Sequence, residues 1–270
     1  MIGQCAADEF RLEYGLGTDP IENIARLIEV ELGAWVAYVR TSNPGHGMTM
    51  RLGDRYLMAV GCTEHPLRLR STLAHEVGHV RLGTVDRPLD HSNWDERTPE
   101  EIQADAFARH LLFPLTAATV AAKGQEPTMG LLSNLVQRYM ASPQIVAIQL
   151  RTVGAIDAVT CERWGRTTGR QLASQFGWHA EYEAHAALSR EPRAPQALLA
   201  RAVEGYRWGL ISAATLARLD GKSDPASVAD ELNQHGVRPI DDFDLPARRP
   251  ENSGASLTGE ELARLMSDTD

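Results

Sequence analysis

Ser-Thr-Leu-Ala-His-Glu-Val-Gly-His-Val-Arg-Leu-Gly, residues 71–83, places two histidines four positions apart, with a glutamate directly after the first. On an α-helix, side chains at positions i and i+4 lie on one face, about 40° apart around the axis. His75 and His79 can therefore share one metal ion, and Glu76 can reach a water on that ion without binding the ion itself. This is the H-E-x-x-H arrangement of zinc hydrolases, which combines two zinc ligands with a general base. The apolar flanks predict a buried helix, and Gly78 would let another element approach it closely.

A third ligand is predicted from residues 98–114, Thr-Pro-Glu-Glu-Ile-Gln-Ala-Asp-Ala-Phe-Ala-Arg-His-Leu-Leu-Phe-Pro. Thr98 suits the N-cap of a helix, Pro99 suits the first helical position, and a second proline ends the run. Glu101 and Asp105 lie one turn apart on a face that otherwise carries small alanines. We expect Glu101 to be the third zinc ligand, which leaves the fourth position for water. Asp105 would then accept the ring N–H of a zinc-bound histidine.

A second interpretation of Glu101 stays open at this point. Thr98 and Glu101 also form a Ser/Thr-x-x-Glu capping box, which would direct the carboxylate to the backbone at the helix start. We favour metal binding because the capping box does not account for Asp105. Glu100 is a weaker candidate ligand, since it lies about 100° off this face, and His110 lies about 180° round the helix and is not counted in the site.

Leu-Ala-His-Glu-Val-Gly-His at 73–79 and Glu-Ile-Gln-Ala-Asp-Ala-Phe-Ala-Arg-His-Leu-Leu-Phe-Pro at 101–114 together resemble the ImmA/IrrE family of metallopeptidases. Members of that family usually read Ala-His-Glu-Leu-Gly-His and then Glu-x-x-Ala-Asn-x-Phe-Ala-x-x-Leu-Leu-Met-Pro. Asp105 stands where many members have asparagine and adds charge to the site, and Phe113 replaces the usual methionine. The specific motifs lie between residues 70 and 114, and a looser similarity extends on both sides of them.

The resemblance implies a zinc-dependent endopeptidase that cleaves helix-turn-helix repressors or antitoxins in the cytoplasm. His75, His79 and Glu101 would bind Zn²⁺, and Glu76 would act as the general base on the zinc-bound water. Two rival hypotheses remain. One is a DNA-binding regulator with a vestigial zinc site, and the other is a repressor-binding module in which zinc only stabilises the fold.

Composition and charge narrow the class of protein. The net charge of −9 argues against nonspecific nucleic-acid binding, which needs a basic surface. No stretch approaches the length of a membrane-spanning helix, and the first residues lack the basic and apolar regions of a secretion signal. The three cysteines are odd in number and widely spaced, so we interpret them as reduced thiols and expect a cytoplasmic protein.

Upstream of the two histidines, the pattern predicts one helix and three strands. The helix is expected over 19–33 with Asp19 as its cap. Three short runs rich in Val, Tyr, Met and Leu then follow at 34–40, 47–52 and 55–61, and Gly53-Asp54 joins the last two as a hairpin. The predicted fold class is α+β, a mostly helical zincin-like peptidase core with a small antiparallel sheet, followed by a helical C-terminal region. In the resembling family an extended substrate lies against an edge of this sheet, and the sequence does not identify the free edge.

The rest of the chain is predicted from breaks in the helical pattern. We expect four parts: a zincin-like core at 1–125, a helix-turn-helix-like hairpin at 126–155, a helical domain of unassigned role at 156–237 and an acidic, flexible tail at 238–270. In the hairpin, two short helices at 131–140 and 143–153 could meet DNA, but packing on the peptidase is the favoured interpretation.

Two residues are candidate donors to the oxyanion of the reaction. His91 lies in the polar loop predicted at 84–97, where a solvated histidine without a catalytic role is the commoner case. Tyr56 is the other candidate and has no stronger claim.

Overall fold

The computed structural model describes residues 2–85 and 98–240, in which thirteen helices accompany one three-stranded sheet. The part that carries the sequence motifs consists of α1 (Ile2–Glu13), α2 (Ile24–Glu31), β1 (Trp35–Val39), β2 (Gly47–Leu52), β3 (Arg55–Gly61), α3 (Pro66–Leu82) and α4 (Pro99–Leu112). The helices that follow are α5 (Leu115–Ala122), α6 (Met129–Tyr139), α7 (Pro143–Thr152), α8 (Ala158–Gly165), α9 (Gly169–Gln175), α10 (His179–Arg190), α11 (Gln196–Arg207), α12 (Ala213–Leu219) and α13 (Pro225–Gln234). The α+β, mostly helical fold class is confirmed.

The sheet is mixed, with strand order β1-β3-β2, so the prediction of an antiparallel sheet is wrong for one of its two pairs. β2 and β3 are antiparallel and joined at Gly53, whose φ of 63° suits the predicted hairpin. β1 runs parallel to β3, with Trp35 opposite Leu57. The difference arises in residues 40–46, which are too many for a tight turn. They carry the chain from β1 to β2 across a gap one strand wide, and β3 later fills this gap.

The N-terminal helices differ from the prediction in two ways. The helix expected over 19–33 begins only at Ile24, because Asn23 rather than Asp19 caps it by accepting a hydrogen bond from the N–H of Arg26 at 2.9 Å. α1 was not predicted from the sequence. This helix packs on α4 through Gly3, where an added Cβ would come within 2.1 Å of a backbone oxygen of α4.

α3 and α4 form the centre of the fold and pack closely on each other. α3 ends at Gly83, whose φ of 66° is the left-handed conformation that favours glycine at a helix end. A Cβ added at Gly78 would lie 3.1 Å from the Cα of Ala104, so the predicted close approach of another helix at Gly78 is confirmed. This packing places one face of α3 against the first turns of α4.

One edge of the sheet is covered by the chain segment between α10 and α11. Tyr38 of β1 and Arg193 exchange two backbone hydrogen bonds, of 2.9 and 3.1 Å. The Arg193 guanidinium also donates to the carbonyl oxygen of Val36 at 3.1 Å and forms an ion pair with Glu29. Within the described ranges, the opposite edge, β2, pairs with no strand besides β3.

The main hydrophobic core extends from Ala7 to Ala186, and a smaller cluster joins α11, α12 and α13. Buried residues of α6 to α10 belong to the main core, together with those of α1 to α5. The predicted division of the chain into four parts remains a prediction, and most of the proposed tail, residues 241–270, lies outside the described residues. None of the helices that the structure describes is long and apolar enough to cross a membrane.

Candidate metal centre

α3 and α4 bring the three predicted ligands together. The Nε2 atoms of His75 and His79 lie 2.9 Å apart. Glu101 reaches both rings, with Oε2 at 3.1 Å from Nε2 of His75 and Oε1 at 3.3 Å from Nε2 of His79. Both imidazoles are largely buried, whereas the Glu101 side chain is 37% exposed, so the cluster faces solvent on the α4 side.

The outer nitrogens of the two rings are both hydrogen-bonded. Nδ1 of His75 lies 3.0 Å from a carboxylate oxygen of Asp105, which accepts hydrogen bonds only, so this nitrogen carries the proton. Nδ1 of His79 lies 2.7 Å from the hydroxyl of Thr84, which donates to the carbonyl oxygen of His79 and can accept from the ring. A ring that keeps a single proton, on Nδ1, has an Nε2 lone pair with which it can bind a metal ion at the position that Glu101 also reaches.

Three electron-pair donors in such close contact favour a cation between them. In tetrahedral zinc sites, bonds of about 2.0–2.1 Å place the ligand atoms about 3.3 Å apart, which is close to the three distances here. Hydrogen bonds from His75 and His79 hold the pKa of Glu101 well below its usual range. Burial lowers the pKa of His75, but hydrogen bonds to Asp105 and Glu101 outweigh it and raise the pKa to about 10. In chemistry and spacing, these residues fit a metal ion such as zinc.

The two interpretations of Glu101 prove compatible in part. Its backbone N–H donates to the Thr98 hydroxyl at 3.3 Å, so Thr98 is the cap of α4. The Glu101 carboxylate turns to the imidazoles instead of closing the capping box. Among the residues that the structure describes, the cluster of potential ligands contains neither Glu100 nor His110. His110 is buried elsewhere, where its Nδ1 lies 3.3 Å from the side-chain nitrogen of Gln149.

Glu76 lies beside the cluster on α3 and is buried. The Thr49 hydroxyl of β2 donates a hydrogen bond to its Oε2 at 2.6 Å. Burial raises the pKa of Glu76, and the hydrogen bond from Thr49 opposes this effect. A carboxylate that is buried next to the ligand cluster, without belonging to it, has the placement of a general base.

Neither Thr49 nor Thr84 was predicted from the sequence. Thr84 directly follows the C-cap of α3 and is five residues after His79, so a local signal existed for it. Thr49 could be placed only by knowing that β2 packs on α3. Tyr56, a predicted oxyanion donor, packs against the main core from β3, and within the described part of the chain no hydrogen bond links it to the cluster. His91, the other candidate, lies outside the described residues.

Residues 31–151 match a family model, Peptidase_M78, the IrrE N-terminal-like domain. No curated protein matches the chain. The matched range begins before β1 and ends in α7, so it contains the sheet, both ligand-bearing helices and the helical hairpin. Glu76 and the three potential metal ligands all lie within it.

Proposed function

Through residues 31–151 this chain belongs to the ImmA/IrrE family of metallopeptidases, and from that premise we propose that it is a zinc-dependent endopeptidase. One observation carries the proposal: ligand atoms of His75, His79 and Glu101 lie within 4.8 Å of one another, beside a buried glutamate that is not among them. A purely structural zinc site is usually closed by four protein ligands, whereas a catalytic site keeps one position open. Among the residues that the structure describes there are three potential ligands and a separate carboxylate, which favours catalysis.

The chain's own residues supply the proton transfers. A zinc ion bound by His75, His79 and Glu101 would polarise the scissile carbonyl group and lower the pKa of its bound water. Glu76 takes a proton from the attacking water and gives it to the leaving amine. A carboxylate whose pKa is raised by burial is suited to both steps, because it can hold the proton between them.

The substrate binds as an additional strand along β2. β1 is excluded as the docking edge because Arg193 already occupies it, whereas β2 is the terminal strand on the other side and reaches Glu76 through Thr49. Backbone pairing holds an extended peptide whatever its sequence. Met48 and Met50 alternate with the residues that face α3 and are 51% and 37% exposed, so apolar substrate side chains are preferred on that outer face.

We further propose that the natural substrate is a helix-turn-helix repressor or an antitoxin and that cleavage takes place in the cytoplasm. The substrate class is the one that the resemblance to this family implies. The cytoplasmic location is supported by three cysteines that all remain free thiols.

The DNA-binding rival is disfavoured by the burial of α7, the helix that would have to enter the major groove. α7 packs against α5, α6 and α8, and the exposed positions from 143 to 152 are Gln144, Arg151 and Thr152. Three exposed residues at opposite ends of a short helix do not form a surface that could contact DNA bases. α6 and α7 thus act as a helical hairpin that supports the peptidase core.

The test compares the wild-type protein with Glu76→Gln. Both are loaded with zinc and incubated with a proteome-derived peptide library and with the helix-turn-helix regulator encoded nearest to its gene, and cleavage is followed by mass spectrometry. We expect the wild type to cleave and the variant to bind one zinc and stay folded but lose cleavage. Cleavage by the variant at the wild-type rate would rule out Glu76 as the base.

Removal of the metal separates catalysis from a stabilising role. After chelation, a catalytic site should lose cleavage while the fold largely persists, as measured by circular dichroism. Unfolding of the chain on chelation would instead support the rival in which zinc only stabilises the fold.

A further inference from the structure

The carboxylate of Glu76 is held from outside its own helix, by β2. Its Oε2 accepts the hydrogen bond from Thr49 at 2.6 Å, a short distance that is typical of a hydroxyl donating to an ionised carboxylate. Glu76 is itself 6% exposed and Thr49 is half-buried, so this contact is partly shielded from water. A hydrogen bond in such a place restricts the side chain more than one at the surface does.

The second oxygen of the same carboxylate meets β2 at Gly47. A Cβ added to Gly47 would lie 2.5 Å from Oε1 of Glu76 and 2.5 Å from Cγ2 of Thr72. Gly47 does not have a positive φ, so space and not backbone conformation favours glycine here, and a Cβ would make the Glu76 or Thr72 side chain shift. Because residues 47 and 49 are two positions apart, both face α3, and each oxygen of the carboxylate has its own neighbour on the strand.

We propose that Thr49 is a positioning residue for the general base and that Gly47 provides the space the carboxylate needs. The role of Glu76 as general base rests on the proposed function, whereas the contact between Thr49 and Glu76 does not. The Thr49 hydroxyl holds the rotamer of Glu76 so that the carboxylate stays beside the ligand cluster of α3 and α4 without joining it. The strand that offers its free edge to a substrate therefore also sets the position of the base.

A structural comparison tests the positioning directly. Thr49→Val removes the hydroxyl but keeps the branched shape that suits a strand, and Thr49→Ser restores the hydroxyl. In crystal structures of the zinc-loaded proteins, we expect the Glu76 carboxylate to leave its wild-type position in the valine variant and to keep it in the serine variant. An unmoved carboxylate in Thr49→Val would overturn the proposal.

A kinetic comparison tests the consequence. With the library peptide that the wild type cleaves fastest, we expect Thr49→Val to lower kcat by about tenfold or more, with KM and zinc affinity within about twofold. Thr49→Ser should recover most of kcat. Thr119→Val is the matched control, since this exposed hydroxyl donates to a carbonyl oxygen of its own helix, and it should change nothing. A loss of zinc that parallels the loss of kcat would count against positioning and point to damage at the metal site.

Gly47→Ala is an independent test, because it adds a methyl group next to Oε1, the carboxylate oxygen that Thr49 does not contact. It should displace Glu76 and lower kcat while zinc remains bound, and wild-type kcat in this variant would contradict the role given to Gly47. If the wild type cleaves no peptide at all, the proposed function fails, but the crystal structures still decide whether β2 holds the carboxylate.

Discussion

Each imidazole of the metal centre is oriented by a different partner. Asp105 of α4 holds His75, and Thr84, just beyond the end of α3, holds His79. Partners of this kind fix the ring tautomer and its direction, and they contribute to metal affinity although they do not touch the ion. The two rings are thus held independently, and one can be released without the other.

Removing Asp105 should weaken metal binding without abolishing it. We expect Asp105→Ala to lower zinc affinity by about 10- to 100-fold, measured by competition with a chromogenic chelator, because His75 loses its acceptor. Asp105→Asn should lose less, since the amide oxygen can still accept and many family members have asparagine at this position. Glu100→Gln removes a carboxylate that lies outside the ligand cluster and serves as the control. Equal affinity in Asp105→Ala and the wild type would show that Asp105 has no such role.

The protonation of His75 predicts how the metal-free protein responds to pH. Its pKa is raised from 6.5 to about 10 in the folded chain, so the proton it binds stabilises the fold fully below pH 6.5. That stabilisation is lost as the pH rises from 6.5 towards 10. The melting temperature of the chelator-treated protein should therefore fall over this range, and that of the zinc-loaded protein should fall less, because metal replaces the proton. Parallel decreases in the two forms would contradict this account.

At the scale of single residues, spacing alone was enough to choose the ligand candidates. His75 and His79 share a face on any helix, and Glu101 follows in a second helix whose start is marked by Thr98 and Pro99. Thr49 could not be predicted in the same way, because its contact with Glu76 depends on how a strand packs on a helix. Local periodicity carries no information on that packing.

The contact between α3 and α4 determines whether the ligands meet at all. It depends on Gly78, where an added Cβ would lie 3.1 Å from the Cα of Ala104 and 3.2 Å from the ring of Phe107. Backbone atoms cannot move aside as a flexible side chain does, so the two helices must separate if this position gains bulk. The distance from Glu101 to the imidazoles would then grow.

We expect Gly78→Val to lower both stability and zinc affinity. Overpacking of this kind costs about 1–3 kcal/mol, measured as the free energy of unfolding in urea. Gly130→Ala is the control, since the nearest atoms to an added Cβ there are 3.6 and 3.8 Å away. The free energy of unfolding of Gly130→Ala should be unchanged or slightly higher, because alanine favours the helix α6 more than glycine does. Should Gly78→Val bind zinc as tightly as the wild type, the helix contact would not be what brings Glu101 to the histidines.

Strands and most helices were predictable as elements, but their arrangement was only partly so. The hairpin of β2 and β3 follows from Gly53-Asp54, whereas the parallel pairing of β1 with β3 depends on which side of β3 the chain reaches after residue 46. α1 was not predicted because two of its four buried residues, Gly3 and Ala7, are small and a third is Arg11, which leaves Phe10 as the one large apolar side chain that it buries.

At the scale of the whole molecule, one edge of the sheet, β1, is covered, and within the described residues the other edge, β2, pairs with no strand besides β3. The bridge between Arg193 and Tyr38 closes β1 with a segment that is distant in sequence, and the ion pair of Arg193 with Glu29 secures it. No local sequence pattern could have predicted that Arg193 covers β1, since the contact joins residues more than 150 positions apart. Its consequence is an asymmetry, because among the described strands β2, which also contacts Glu76, is the one whose outer edge is left for the peptide substrate that we propose.

This asymmetry predicts that the outer face of β2 contributes to substrate binding and that the equivalent face of β1 does not. Replacing both Met48 and Met50 with serine removes two half-exposed apolar side chains beside the free edge. With the library peptide cleaved fastest, we expect KM to rise by about tenfold, since about 1.4 kcal/mol of apolar contact is lost. Zinc affinity and kcat should stay close to wild-type values, because neither residue faces α3. Val39→Ser is the matched control, an outer-face residue of β1 that is 40% exposed but lies on the covered edge. An equal rise of KM in Val39→Ser would show that the peptide does not follow β2, and unchanged KM in the double variant would remove the outer face from the binding site.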